Sequence, residues 1–340
     1  MGLPVDATLG MLSDNLRRRR SALPLSKRAA TAWAKGLGIP RGGATVLYTG
    51  QMFQLMPSIE AMSRRLSSME NSWMARYVGF ARRLNRLVNL TALIARRQPA
   101  DVRTYTAPLR RIAQLLREAG VPFGYLYEED VYAGALAYDE GLDDALRTHA
   151  RWVYGILRAN GVREVITVDP HTTDMLRTVY PKIIEGYDLR VRSYLEVLAE
   201  RAPANARASG RTVTLHDSCI YARREGVREQ PRALLRAAGV TIREAELSGK
   251  ATQCCGGPIE SLYPGKAHAI AQKRIDQLVR CSDQVVTLCP LCLGNLRRVA
   301  PPGVHVQDIS EVLRADDPPA GAGIPATAPR RLPAPVAAAP

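Results

Sequence analysis

Short apolar runs alternate along the chain with longer stretches of helical periodicity. Residues 44–49 form an apolar run that predicts a strand, with a helix following from Pro57. Residues 121–127 predict a second strand. Residues 143–160 place Leu146, Trp152, Val153, Ile156 and Leu157 at helical spacing, and Gly161 stands where such a helix stops. A strand is expected at 164–168 and a helix from Pro170. The second half runs through the same order. Strands are expected at 211–215, 240–246, 284–288 and 304–308. Helices are expected at 231–238, at 266–280 with Ile270, Ile275, Leu278 and Val279 on the apolar side, and from Pro290 onward. Strands and helices alternating at these spacings imply an α/β fold in which parallel sheets are covered by helices.

The two halves also echo each other in detail. Tyr48-Thr49-Gly50-Gln51 aligns with His216-Asp217-Ser218-Cys219. The segment at 131–136 aligns with 253–258, and the segment at 167–172 with 287–292. Two tandem copies of one α/β domain are therefore expected, spanning 43–201 and 211–314. A helical insertion of the first copy falls at about 60–105, and a loop of small residues lies between the copies. Residues 1–42 are expected to be a basic extension with a helix at 27–37. Residues 315–340, rich in Pro, Ala and Gly, are expected to be a disordered tail.

The 340 residues carry 47 Lys and Arg against 32 Asp and Glu, a net charge of +15 that favours anionic partners. No base-reading motif accompanies the charge, so nucleic acid is not the expected partner. Residues 71–97 hold six Arg, no acidic residue, and Trp73, Tyr77, Phe80, Leu84, Leu87, Val88 and Ile94 at roughly helical spacing. A basic amphipathic helix of this kind packs on its own domain, docks on a partner or lies on a lipid surface. No uncharged apolar run is long enough to span a bilayer, and Arg17–Arg20 interrupt the one candidate signal-peptide core, so a cytoplasmic location is expected.

In that compartment clustered cysteines read as metal ligands or catalytic groups before disulfides. All six lie between positions 219 and 292. Setting Cys281 aside as a small packing residue, the pattern is Cys219, then Cys254-Cys255-Gly256-Gly257-Pro258, then Cys289-Pro290-Leu291-Cys292. Each group follows a predicted strand, so the parallel sheet brings all three to one edge, where open α/β folds place their sites. Soft thiolates suit iron–sulfur clusters and zinc. Adjacent Cys254 and Cys255 fit different irons of one cluster better than one small ion, and five thiolates exceed the need of a tetrahedral zinc. In the first copy the same positions are Gln51, Tyr132, Ala133, Asp169 and Thr172, so that copy has no such ligands. His216 and Asp217 stand near Cys219 as candidate proton donors, His216 being the candidate catalytic residue. Asp169 and His171 are expected in a local capping or turn role, and Arg223 and Arg224 either meet an anionic substrate or form a solvated helix face.

At these cysteines the sequence resembles the cysteine-rich CCG-domain family, typified by the catalytic subunit of heterodisulfide reductase. The match is specific over about 211–300 and weaker, without cysteines, over 44–200. The resemblance implies a non-cubane 4Fe-4S cluster on Cys219, Cys254, Cys255, Cys289 and Cys292. It implies an oxidoreductase subunit that reduces a small-molecule disulfide or relays electrons within a heterodisulfide-reductase-like complex. Many relatives carry two such motifs and a ferredoxin-like module; this sequence has one motif and no such module. Electrons are therefore expected from another redox subunit, ferredoxin-like or flavoprotein, which would also mediate any peripheral contact with the cytoplasmic membrane. Two alternatives remain: an iron–sulfur subunit serving a flavin-dependent lactate, glycolate or glycerol-phosphate oxidase, and a zinc-stabilised scaffold or nucleic-acid-binding protein.

Overall fold

The computed structural model describes residues 4–23, 25–69, 78–87, 97–201 and 210–313. The loop between the halves, the 315–340 tail and the flanks of the basic helix at 71–97 lie outside the described residues.

Two four-stranded parallel sheets form the frame. The first consists of β1 (Thr45–Tyr48), β2 (Gly124–Tyr125), β3 (Glu164–Thr167) and β4 (Arg190–Ser193), in the order β2-β1-β3-β4. The second consists of β5 (Thr212–His216), β6 (Thr241–Ile242), β7 (Gln284–Thr287) and β8 (His305–Asp308), in the order β6-β5-β7-β8. One strand order therefore occurs twice. In register, Val46 faces Val165 and Leu215 faces Val286. The central strands are apolar on both faces because helices cover both sides, and Val46, Leu47, Val165, Ile166, Val285 and Val286 are fully buried.

The repeat extends to an element that the sequence pattern did not reveal. β4 and β8 share one alternation of exposed and buried positions and each runs straight into a short helix. At the first junction Ser193 and Glu196 form a capping box. At the second, Asp308 Oδ1 accepts from Ser310 N at 2.9 Å while Glu311 accepts from Asp308 N at 3.1 Å. The strand expected at 121–127 shrinks to Gly124–Tyr125 and that at 240–246 to Thr241–Ile242, since both are edge strands. The helix expected from Pro57 starts at Met52, with Pro57 inside it. The helix expected at 27–37 ends at Thr31 and tightens into a 3₁₀ turn, Ala32–Ala34.

Polar contacts and close helix packing join the halves. The helix Pro290–Val299 meets the helix Met52–Met69 at Gly294, where a Cβ would stand 2.4 Å from Glu60 Oε1 and 2.7 Å from the Tyr105 hydroxyl. Arg298 bridges Glu60 at 3.0 Å and also holds Glu260. Arg177 and Thr178 of the first half both bond Glu225 of the second at 2.7 Å. The Tyr221 hydroxyl lies 2.8 Å from Ser193 Oγ and 3.3 Å from Thr173 Oγ1. Of the basic helix, Val78–Leu87 is described and packs along Val5–Arg19. Arg82 pairs with Asp14 at 3.0 Å and Asn85 bonds Asn15 at 2.9 Å, while Phe80 and Leu84 are exposed.

Candidate metal centre

The C-terminal ends of β5 and β7 bring the thiols together. Cys219 lies three residues past the end of β5, and Cys289 is the N-cap of the helix Pro290–Val299, which puts Cys292 one turn away. Cys254 and Cys255 arrive on the loop after β6. Gly256 has φ +82 and donates its N–H to Cys254 Sγ at 3.3 Å. Gly257 packs closely on the following helix, since a Cβ there would stand 3.3 Å from Leu291 Cβ. Asn295 Nδ2 holds the Cys255 carbonyl at 3.2 Å.

The five thiols form one continuous chain of contacts: Cys219 to Cys254, Cys254 to Cys255, Cys255 to Cys292, and Cys292 to Cys289. Cys255, Cys289 and Cys292 are buried; Cys219 and Cys254 are half-buried, so the centre opens on their side. The hydrogen bonds of Cys219 and Cys255 hold Cys254 well below the ordinary thiol range, and the bond it shares with Cys254 raises Cys219. Burial works to raise Cys289, but the bond to Cys292 and the neighbouring His171 outweigh it and bring that thiol down. Cys255 is raised by its bond to Cys254, and Cys292 by its bonds to Cys255 and Cys289. Cys281 stands apart, its thiol 3.5 Å from the Glu244 carbonyl.

Three side chains outside the motif complete the centre. Arg274 is fully buried; its Nε donates to His216 Nδ1 at 3.1 Å and its other nitrogens hold the Leu247 carbonyl at 3.0 Å and Thr252 Oγ1 at 3.3 Å. A guanidinium only donates, so His216 carries its proton on Nε2. Burial and Arg274 push His216 down to about 3, which makes it a neutral N–H donor. Its Nε2 is buried without a partner among the described residues. Ligand atoms of His216, Cys255 and Cys292 lie within 4.8 Å of one another. Asp217 is locked by Arg232, with both oxygens 2.9 Å from the guanidinium, and also accepts from Gly249 N at 2.7 Å. It anchors the turn that carries Cys219.

His171, expected only in a local capping or turn role, instead reaches the thiols. It comes from the first half and contacts both Cys289 and Asp139, its Nδ1 standing 3.6 Å from the Asp139 carboxylate. Burial lowers its pKa, but Cys289 and Asp139 outweigh burial and raise it well above the usual value, which makes it an imidazolium beside the thiol chain. Its neighbour Asp169 does cap its helix, Oδ1 accepting from Thr172 N at 3.0 Å, the position that Cys289 takes in the second half. Arg223 and Arg224 are both engaged: Arg223 holds the Lys250 and Thr252 carbonyls, and Arg224 pairs with Asp174 at 2.9 Å across the two halves.

The donor set fits an iron–sulfur group. Five sulfurs converge, and among the described residues an orphaned His216 N–H points to an acceptor beside Cys255 and Cys292. In the first half the matching positions are closed by other chemistry. Gln51 Nε2 bonds the Asp130 carbonyl at 2.7 Å, the Tyr132 hydroxyl accepts from Leu136 N at 2.6 Å, and the Tyr180 hydroxyl bonds the Ala133 carbonyl at 2.9 Å.

Comparison with known proteins agrees with this geometry. Residues 213–297 match the family model described as a cysteine-rich domain, CCG. The chain is 32% identical over 223 residues to a probable membrane-anchored ferredoxin of Chromohalobacter salexigens, covering 61% of this chain and 33% of that protein. It is 31% identical over 221 residues to the EtfAB:quinone oxidoreductase of Syntrophomonas wolfei, covering 59% and 31%. It is 27% identical over 217 residues to one of the chains of the dihydromethanophenazine:CoB–CoM heterodisulfide reductase of Methanosarcina barkeri, covering 59% and 53%. The match thus spans about a third of the first two relatives.

Proposed function

We propose, from the premise that residues 213–297 form a cysteine-rich domain of the CCG family, that this chain is the iron–sulfur subunit of a multi-subunit redox complex and relays electrons within it. The relatives are iron–sulfur and oxidoreductase proteins, which supports the electron-transfer role. The observation that carries the reading is the unbroken contact chain of Cys219, Cys254, Cys255, Cys292 and Cys289 at one sheet edge.

These five cysteines would hold a non-cubane 4Fe-4S cluster, which when bound supplies one-electron transfer. The remaining chemistry belongs to the chain. Gly256 N–H and His216 Nε2–H offset negative charge at the sulfurs, and His171 adds a positive charge beside Cys289. Buried Cys255, Cys289 and Cys292 exclude water from one side. Half-buried Cys219 and Cys254 leave the other side open to a donor, a ferredoxin-like or flavoprotein partner. Reduction of a disulfide at the same centre is the second reading, favoured by that open side, where a sulfur ligand has access. No helix among the described residues is long and apolar enough to cross a membrane. In this reading partners supply any membrane contact.

Anaerobic purification of single variants tests the assignment. Cys254→Ser should lose iron and sulfide while the first half stays folded, and Cys281→Ser should keep them. Iron retained in Cys254→Ser, or lost in Cys281→Ser, would contradict the ligand set.

A further inference from the structure

Arg274 is a buried cation whose hydrogen-bond partners are all uncharged. It stands on the helix Pro264–Leu278 and is fully buried. Its acceptors are His216 Nδ1 at 3.1 Å, the Leu247 carbonyl at 3.0 Å, Gln277 Oε1 at 3.0 Å and Thr252 Oγ1 at 3.3 Å. A buried charge is ordinarily offset by an opposite one. The nearby carboxylate, Asp217, is already held by Arg232. The other acidic groups that act on Arg274 are the thiols of Cys292, Cys281 and Cys255, and Cys255 and Cys292 belong to the converging set. An anionic group held by those sulfurs would supply the missing charge.

The contact with His216 decides what that histidine can do. His216 ends β5 and is buried as well. A guanidinium only donates, so Nδ1 must accept, and the ring proton is left to Nε2. That nitrogen is buried without a partner among the described residues. A ring nitrogen of His216 stands within 4.8 Å of both Cys255 Sγ and Cys292 Sγ. One imidazole beside two thiolates is also a known ligand set for zinc. A histidine that ligates through Nε2, however, carries its proton on Nδ1 and gives it to an acceptor there. Arg274 puts a donor in that place. His216 therefore meets the sulfurs with an N–H and not with a lone pair.

We infer that Arg274 is a positioning residue: it fixes His216 as an N–H donor to the group that the cysteines hold, keeps it out of the ligand set, and so raises the reduction potential of the centre. The effect on potential rests on the iron–sulfur reading; the tautomer rests on the Arg274–His216 pair alone. A hydrogen bond to a cluster sulfur and a nearby cation both favour the reduced state, which is the more negative one. Arg274 thus acts directly through its charge and indirectly through His216, and only the second action needs the imidazole.

Nuclear magnetic resonance of the full chain, reduced, iron-free and carrying nitrogen-labelled histidine, reads the tautomer. His216 is identified by the signal lost in His216→Phe. The proton is expected on Nε2 in wild type and at least partly on Nδ1 in Arg274→Met. A wild-type proton on Nδ1 overturns the proposal, and so does an unchanged tautomer in a folded Arg274→Met. Redox titration of the iron-loaded chain, followed by electron paramagnetic resonance, reads the potential. At a fixed applied potential Arg274→Met should raise the oxidised-to-reduced ratio about ten-fold, which is about 59 mV for a one-electron couple. His216→Phe should shift the ratio in the same direction and keep its iron. In the His216→Phe background Arg274→Met should shift it clearly less. Equal shifts in the two backgrounds, an unshifted His216→Phe, or iron lost from a folded His216→Phe overturn the proposal. Circular dichroism restricts the comparison to folded variants. A chain that never holds iron but carries the His216 proton on Nε2 would remove the iron–sulfur reading and keep the hold of Arg274 on His216.

Discussion

Substituting Gly256 by alanine should separate backbone strain from site assembly. Gly256 adopts φ +82, and a Cβ there would stand 2.5 Å from the carbonyl oxygen and 3.0 Å from the Cα of Ala267. Those are backbone atoms in the first turns of the helix Pro264–Leu278, and they cannot swing aside as a side chain would. The left-handed conformation costs roughly 1–2 kcal/mol for an L-residue. Forcing the loop off the helix adds roughly 1–3 kcal/mol. A total of about 3 kcal/mol should lower the melting temperature by about 6–12 °C at the usual 2–4 °C per kcal/mol. The same displacement moves the Gly256 N–H away from Cys254 Sγ and shifts the neighbouring thiols, so iron content should fall with stability. Gly303→Ala is the control: φ is +87 with nothing within 4 Å, so only the conformational cost of roughly 1–2 kcal/mol applies and iron content should not change. Thermal melts and iron assays on the anaerobic proteins provide the readout. Equal melting temperatures and equal iron in the two variants would refute the reasoning.

Further outcomes follow from the polar contacts. Asp217→Asn removes one of the two carboxylates that hold the Arg232 guanidinium, Glu244 remaining at 2.7 Å, and should cost about 2 kcal/mol, seen as a lower denaturant midpoint, with impaired iron loading through the Cys219 turn. Burial raises the Asp130 carboxyl from 3.8 to about 7. Protonation therefore favours the folded state: the contribution of Asp130 is complete below its unfolded value and disappears as pH rises through about 7. Urea melts should show Asp130→Asn losing less stability than wild type between pH 5 and pH 8; equal losses would contradict the assignment. Cys254→Ser should lose iron while circular dichroism still reports folded α/β structure.

The frame of the fold was legible because its central strands are uninterrupted apolar runs bounded by turn residues, as at Val46-Leu47-Tyr48 and Val285-Val286-Thr287. β4 escaped because Arg190 and Arg192 alternate with Val191 on an edge strand of four residues, too short for periodicity to declare itself. The junction gave a signal that could have been used: Ser193 with Glu196 and Asp308 with Glu311 share one spacing. The order of the cysteines and the direction of a parallel sheet were enough to bring three stretches to one edge. The contribution of the first half was not legible. His171 reaches Cys289 only because the two halves pack face to face, and nothing in the local sequence says which residue crosses. Arg274 was hidden for a related reason: on the helix pattern it reads as polar and solvated, yet it is fully buried against His216.

The identity of the bound metal decides the account. Metal and sulfide analysis, with Mössbauer spectroscopy, of the anaerobically purified chain should give roughly four irons and four sulfides per chain, and both should be lost in Cys289→Ser. A single zinc without sulfide, or iron that survives the loss of Cys289, would contradict it.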